Sequence, residues 1–201
     1  MSTTTLLRTL KGTLAAALCG VTLTACADLA RTGSGPSFLV VQSILATRGG
    51  GTVVSGNGLE SDVVTNGTAL NDFGQATIRV ELKNQVSTTA PTAINSVTIN
   101  RYRVRFRRTD GQNREGIDVP FSFEGASSTT IDAGGTGVVT FDLVRPQSKL
   151  EPPLRTLVGN GGLIVISTIA DITFYGFDQA GNDVTVTGSI DVRFADYGDS
   201  Q

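Results

Sequence analysis

Four arginines stand at alternate positions within VTINRYRVRFRR, residues 97–108. Successive side chains of a β-strand point to opposite faces, so a strand here would bring all four to one face: Arg101, Arg103, Arg105 and Arg107. Guanidinium groups pair bidentately with phosphate and carboxylate, so this row could bind an anionic lipid headgroup or an acidic glycan. Alternatively the row is a solvated strand face, with Glu81 and Asp191 as cross-strand partners.

Acidic residues cluster at two places, and we interpret both as turn chemistry. Asp178, Asn182 and Asp183 fall within one turn, and Asp196 and Asp199 lie close to the last residue. Calcium takes six to eight oxygen ligands, and neither spacing matches a calcium loop. The glycine-rich stretches at 49–58, 134–137 and 159–162 lack the phosphate-loop patterns, which predicts turns or loops. We therefore expect no metal and no cofactor.

Composition narrows the chemistry further. The chain has no His, which excludes a Ser-His-Asp triad and a His metal ligand. A hydrolase using two carboxylates is a remote alternative, because no glutamates stand in a pattern that marks a catalytic pair. We therefore expect no enzyme activity. The net charge of −2 lacks the basic footprint of a nucleic-acid-binding protein, so we expect no nucleic acid partner.

The first 25 residues have the pattern of an export signal. Arg8 and Lys11 precede a mainly apolar run from Leu14 to Leu23, and small residues close it. The run is too short to span a bilayer as a stable helix. The following Leu23-Thr24-Ala25-Cys26 resembles the lipobox of bacterial lipoproteins.

That resemblance implies cleavage before Cys26 and acyl chains on this cysteine, which hold the protein on a membrane. Residues 1–25 would be the signal peptide, and 26–36 the lipidated cysteine and a short tether. Ala27 rather than Asp follows the cysteine, which by the same resemblance favours the outer membrane; the face is left open. Cys19 lies within the signal peptide, so the mature domain would contain no disulfide.

Residues 37–201 have the period of two that is typical of half-buried strands. The predicted strands are 37–46, 61–65, 76–83, 97–108, 117–124, 138–145, 163–177 and 183–194. The predicted inner face includes Tyr102, Phe106, Phe141, Ile164, Ile172 and Val192. Pro152 and Pro153 limit the helical candidate, 148–158, to a turn or two.

The turn Asp178-Gln179-Ala180-Gly181-Asn182 resembles the D-x-A-G-N turn of bacterial immunoglobulin-like and fibronectin-type repeats. The resemblance covers residues 163–194 and implies a β-sandwich. About 165 residues exceed the usual hundred of such a domain, with the surplus at 47–72 and 145–162. We therefore predict an all-β fold: one elaborated, antiparallel Ig-like sandwich.

Three functions fit these patterns. The first is a lipid-anchored, non-catalytic interaction or structural module with an envelope protein as partner. The second is an anionic glycan- or lipid-binding module that uses the row from Arg101 to Arg107. The third is a hydrolase with an unrecognised carboxylate site. A solved surface separates them: open strand edges favour the first, a groove the second, and clustered carboxylates in a pocket the third.

Overall fold

A computed structural model describes residues 35–52, 54–56, 58–83 and 92–198. The predicted signal peptide, Cys26, residues 27–34 of the tether and Asp199 lie outside the described residues. Every described residue belongs to one compact unit, Gly33–Gln201. Within the described ranges, no helix has both the length and the apolar character needed to cross a membrane.

The described unit consists of two sheets, which confirms the all-β prediction. In spatial order, the first sheet contains β2 (Val54–Ser55), β1 (Ser37–Thr47), β4 (Asp72–Leu82) and β7 (Thr136–Val144). The second contains β3 (Leu59–Asp62), β9 (Asp183–Ala195), β8 (Ile166–Asp178), β5 (Val97–Arg107) and β6 (Phe123–Ile131). The prediction of a purely antiparallel fold is wrong at one position, because β3 runs parallel to β9.

The helical segments are short. Helix α1 (Pro146–Leu150) and a 3₁₀ helix (Leu154–Leu157) flank Pro152-Pro153, so the predicted helical turns at 148–158 are present as two pieces. A second 3₁₀ helix (Ala93–Asn95) leads into β5. Proline cannot donate the backbone hydrogen bond that would join α1 to the next turn.

The hydrophobic core lies between the sheets and is formed by alternate strand residues, as the period of two predicts. Tyr102, Phe106, Phe141, Ile172 and Val192 are all buried in it. Ile164 is an exception, because the chain is still in a turn there: the Leu163 amide donates to the Asn160 carbonyl, and β8 begins only at Ile166.

The strand predicted at 117–124 is also wrong in position, since β6 begins at Phe123. Asp118 turns back to accept hydrogen bonds from the backbone and side chain of Arg114. Pro120 has no amide hydrogen to contribute to a ladder. Residues 108–122 therefore form a loop over one end of the second sheet.

The two ends of the sandwich differ. The chain enters at Gly35, beside Asp178 and Asn182, and we call this the entry end. The opposite end, the far end, carries residues 48–71, 108–122 and 145–165, and β9 finishes there at Ala195. The thirteen residues of β8 separate the two ends by about 40 Å at a rise near 3.4 Å per residue.

Candidate functional site

The four arginines of the row occupy the outer face of β5, as the alternation predicts. Tyr102, Val104 and Phe106 point into the core between them. Arg101, Arg103 and Arg105 are exposed, and Arg107 is half-buried. This surface of the second sheet, completed by residues of β6, β8 and β9, is called the arginine face below.

The two end arginines of the row are paired. Arg101 Nη1 lies 2.8 Å from Glu124 Oε2 on β6, and Arg107 Nε lies 2.7 Å from Asp171 Oδ2 on β8. The expected partners Glu81 and Asp191 are therefore wrong. Glu81 belongs to the other sheet and pairs with Arg79, while β9, which carries Asp191, is two strands away from β5.

Within the described residues, the two central arginines have no such partner. Arg103 lies opposite Glu124 in the β5–β6 register, and Arg105 lies opposite Asp171 in the β5–β8 register. Both carboxylates bond diagonally to the end arginines instead. Among the described residues, neither Arg103 nor Arg105 has a carboxylate within 4.0 Å; Arg103 makes one hydrogen bond of 3.4 Å, to Ser122.

A shallow depression of about 590 Å³ lies over these two guanidinium groups. Its other lining residues are Glu115, Asp171, Thr173, Tyr175 and Thr187. The hydroxyls of Thr173 and Thr187 bond each other at 2.9 Å, and the Tyr175 ring lies 4.1 Å beneath the guanidinium of Arg101. The depression thus combines two cations with hydroxyl groups, and its lining also includes the carboxylates of Glu115 and Asp171.

Hydrogen bonds stabilise the charged form of Asp171 on this face. Burial alone would raise the pKa of Asp171, but hydrogen bonds from Arg107 and Ser189 outweigh it and lower the pKa. Its Oδ1 accepts from Ser189 at 2.7 Å, so both oxygens are occupied. Hydrogen bonding to Glu124 and to Asp171 raises the pKa of Arg101 and of Arg107, respectively. Asp171 is therefore hydrogen-bonded to Arg107 and Ser189, and the charge of Arg105 acts on it without an ion pair within 4.0 Å.

The Asp178 carboxylate stabilises the turn at residues 178–182 through hydrogen bonds. Asp178 accepts hydrogen bonds from the amides of Ala180 and Asn182 and from the Asn182 side chain, at 2.8 to 3.0 Å. Burial would raise the pKa of Asp178, but these bonds outweigh it and lower the pKa. Gly181 adopts a φ of 84°, which glycine allows at little cost. No group of three or more acidic, Cys or His side chains among the described residues is placed to hold a metal ion.

A buried polar cluster at the far end has no signature in the sequence. Lys149 Nζ of α1 lies 3.0 Å from Asp72, and both side chains are almost completely buried, with exposed fractions of 1% and 0%. Asp72 also accepts from the Ser61 hydroxyl at 2.6 Å and from the Gly49 amide at 2.7 Å. No periodicity signals these residues, since Lys149 in SKLEPP reads as a surface lysine.

This cluster has the composition of a catalytic group but not the access. A serine, a lysine and an aspartate are joined by hydrogen bonds, yet Ser61 and Asp72 have no exposed surface. Burial lowers the pKa of Lys149, and Asp72 opposes that shift by its charge and its hydrogen bond. The cluster ties together four separate segments of the far end, so its role is structural.

Comparison with known proteins adds no further assignment to the arginine face. No protein-family model matches the chain, and the searches of curated proteins and of solved structures returned no match.

Proposed function

We propose that this chain is a lipid-anchored, non-catalytic binding module of a bacterial cell envelope. Its ligand is a group bearing phosphate or carboxylate, bound at the arginine face. The observation that carries this proposal is the pair of central arginines, Arg103 and Arg105. Both line the depression, and among the described residues neither has a carboxylate within 4.0 Å.

The arrangement suits a bound anion on physical grounds. Arg103 and Arg105 are two residues apart on one strand, so their backbones are about 7 Å apart. This separation is within the Debye length of about 8 Å at physiological ionic strength, so their fields reinforce each other. The guanidinium fork offers bidentate hydrogen bonds to phosphate or carboxylate, and the neighbouring threonines offer hydroxyls.

We further propose that the fold is an elaborated sandwich of the Ig-like or fibronectin type. The support is the core between a four-stranded and a five-stranded sheet, together with the D-x-A-G-N turn that joins β8 to β9. The parallel strand β3 and the far-end segments around the buried Lys149 are additions to that plan.

The anchor is proposed at Cys26 from its lipobox, with the outer membrane as its location. Replacing Cys26 with Ala removes the thiol that would be acylated, so we expect a protein that is no longer membrane-bound through lipid. Mass spectrometry of the N-terminal peptide of the wild-type protein checks this. The expected mass is that of Cys26 with acyl groups, and an unmodified chain that begins elsewhere would overturn the anchor.

For the arginine face, we expect the double variant Arg103→Ser/Arg105→Ser to lose salt-sensitive binding to anionic groups. The measurement is co-sedimentation of the unlipidated domain, starting at Ala27, with anionic and neutral vesicles at low and moderate salt. Inorganic phosphate and glucuronate serve as soluble competitors. Binding to anionic vesicles that neither competitor reduces identifies a lipid headgroup, whereas direct binding of a competitor identifies a free or glycan-borne anion.

The control is Arg79→Ser/Lys83→Ser, which also removes two positive charges, one on β4 of the first sheet and one directly after it. Lys83 follows β4, and Arg79 lies on it, so neither residue belongs to the arginine face. We expect this control to bind like the wild-type domain. If the wild-type domain binds no anion in any arm, or if both double variants lose binding equally, the arginine face is an ordinary solvated surface.

A further inference from the structure

A further cavity lies at the far end of the sandwich and shares no lining residue with the depression of the arginine face. Its volume is about 480 Å³, within the range of about 300–1,000 Å³ that is typical of small-molecule sites. The lining includes the buried side chains of Ala46 and Leu59. Four charged residues also line it: Arg48, Glu60, Asp191 and Arg193. The cavity therefore combines apolar surface with two positive and two negative charges.

These charges come from three separate segments of the chain. Arg48 follows β1, at the start of a turn in which the Gly51 amide donates to the Arg48 carbonyl at 2.9 Å. Asp191 and Arg193 are both exposed on β9, two residues apart and therefore on the same face. Glu60 of β3 lies opposite Arg193 in the parallel register. The fold thus brings both signs of charge to one cavity.

The four charges form no ion pairs within the part of the chain that the structure describes. Neither arginine has a carboxylate within 4.0 Å there, and neither carboxylate has a cation within that distance. Arg48 is half-buried, and a cation that loses water without gaining a partner is costly. Burial raises the pKa of Tyr197 and Glu60 raises it further, whereas Arg193 and Arg48 oppose both. Three of the four charges therefore lie near the same hydroxyl.

We infer that this cavity is a second binding site, whose ligand is a small zwitterion with an ammonium and a carboxylate. A simple anion would meet Glu60 and Asp191, and a simple cation would meet the two arginines. A zwitterion pairs its carboxylate with Arg48 and Arg193, and its ammonium with Glu60 and Asp191. Bidentate hydrogen bonds from guanidinium to carboxylate fix the orientation of the ligand as well as adding affinity.

The spacing of the charges indicates the size of the ligand. Asp191 and Arg193 are two residues apart on an extended strand, so their backbones are about 7 Å apart. Two residues of an extended peptide also span at most about 7 Å. A dipeptide with both termini free therefore matches the separation of the charges, and Ala46 and Leu59 offer its side chains apolar contact.

The test is isothermal titration calorimetry of the purified full-length protein with alanyl-alanine. Two blocked forms are titrated in parallel: N-acetyl-alanyl-alanine, which lacks the ammonium, and alanyl-alanine amide, which lacks the carboxylate. We expect the free dipeptide to bind and each blocked form to bind about tenfold more weakly, because hydrogen bonds between charged groups are the stronger ones. No binding of the free dipeptide, or equal binding of all three forms, would overturn the inference.

Two variants remove one charge of each sign from the cavity. Arg193→Gln should weaken the free dipeptide about tenfold and leave the amide form unaffected, because the amide has no carboxylate to lose. Asp191→Asn should likewise weaken the free dipeptide and leave the acetylated form unaffected. The matched controls are Arg155→Gln and Asp183→Asn, at exposed positions outside the cavity lining, and they should bind like the wild-type protein. Equal losses in variants and controls would contradict a site in this cavity.

The variant Arg103→Ser/Arg105→Ser separates this inference from the proposed function. It removes the central arginines of the arginine face and none of the cavity lining, so it should bind the dipeptide like the wild-type protein. If this variant loses dipeptide binding, the ligand lies on the arginine face and the cavity inference is wrong. If the dipeptide binds in this variant while the wild-type protein binds no anion at the arginine face, the proposed function fails and the cavity inference stands.

Discussion

Replacing Ile172 with Asp is expected to unfold the domain or nearly so. Ile172 has no exposed surface and lies in the middle of β8, between Val104 of β5 and Gly188 of β9. A carboxylate there would be buried without a partner, and effects above about 4 kcal/mol arise from such changes. A whole domain is stable by only about 5–15 kcal/mol. Far-ultraviolet circular dichroism during urea denaturation measures the loss.

The matched control is Thr185→Asp on the outer face of β9. Thr185 is half-buried at a strand position that points away from the core, so the carboxylate of an aspartate at this position remains hydrated. We expect a change within about 0.5 kcal/mol in the free energy of unfolding, as for most surface substitutions. Equal effects at 172 and 185 would contradict the assignment of inner and outer faces.

Replacing Lys149 with Met is expected to lower the free energy of unfolding by about 3–5 kcal/mol, because it leaves the Asp72 carboxylate buried without its cation. Methionine nearly matches the length of lysine, so little cavity is created. The loss should begin at the far end, where Asp72 also holds Ser61 and Gly49. Chemical denaturation gives the magnitude, and hydrogen exchange of residues 48–71 locates the loss.

Two further variants distinguish the loss of charge at Lys149 from the change in side-chain shape. Gln147→Met changes an exposed position of the same helix and should have little effect. Asp72→Asn added to Lys149→Met removes the unpaired charge, while the amide oxygen still accepts one hydrogen bond, so part of the stability should return. A loss below about 1 kcal/mol for Lys149→Met alone would contradict a buried ion pair whose breakage is costly.

The strands were predictable because their period follows from backbone geometry alone. Alternation in β5 identifies Tyr102 as inward and Arg103 as outward, and the structure agrees on both. Strand ends were less predictable, since hydropathy carries no signal for the turn that holds Leu163. The segment around Phe123 shows the same limit, because only the Arg114–Asp118 contact reveals where the preceding loop closes.

The ion pairs between neighbouring strands could not be predicted from the sequence, for a different reason. The row from Arg101 to Arg107 is evident from its spacing, but its partners depend on strand order. Glu124 and Asp171 become neighbours only because β6 and β8 flank β5. The buried Asp72–Lys149 pair joins residues 77 positions apart, a separation that local patterns do not encode. What distinguishes Arg103 and Arg105 is therefore visible only in the folded protein.

The placement of Gly35 and Ala195 at opposite ends of the sandwich also sets how the domain resists mechanical force. Strands β1 and β9 run in the same direction but belong to different sheets, with β1 starting and β9 finishing at opposite ends. Ten residue pairs join β1 to β4, and the hydrogen bonds of an antiparallel pair are perpendicular to the strands. Tension between Gly35 and Ala195 therefore loads the hydrogen bonds between β1 and β4 in shear. These bonds then carry the force together instead of breaking one after another. The arrangement is therefore suited to bear a load along the line between the two ends.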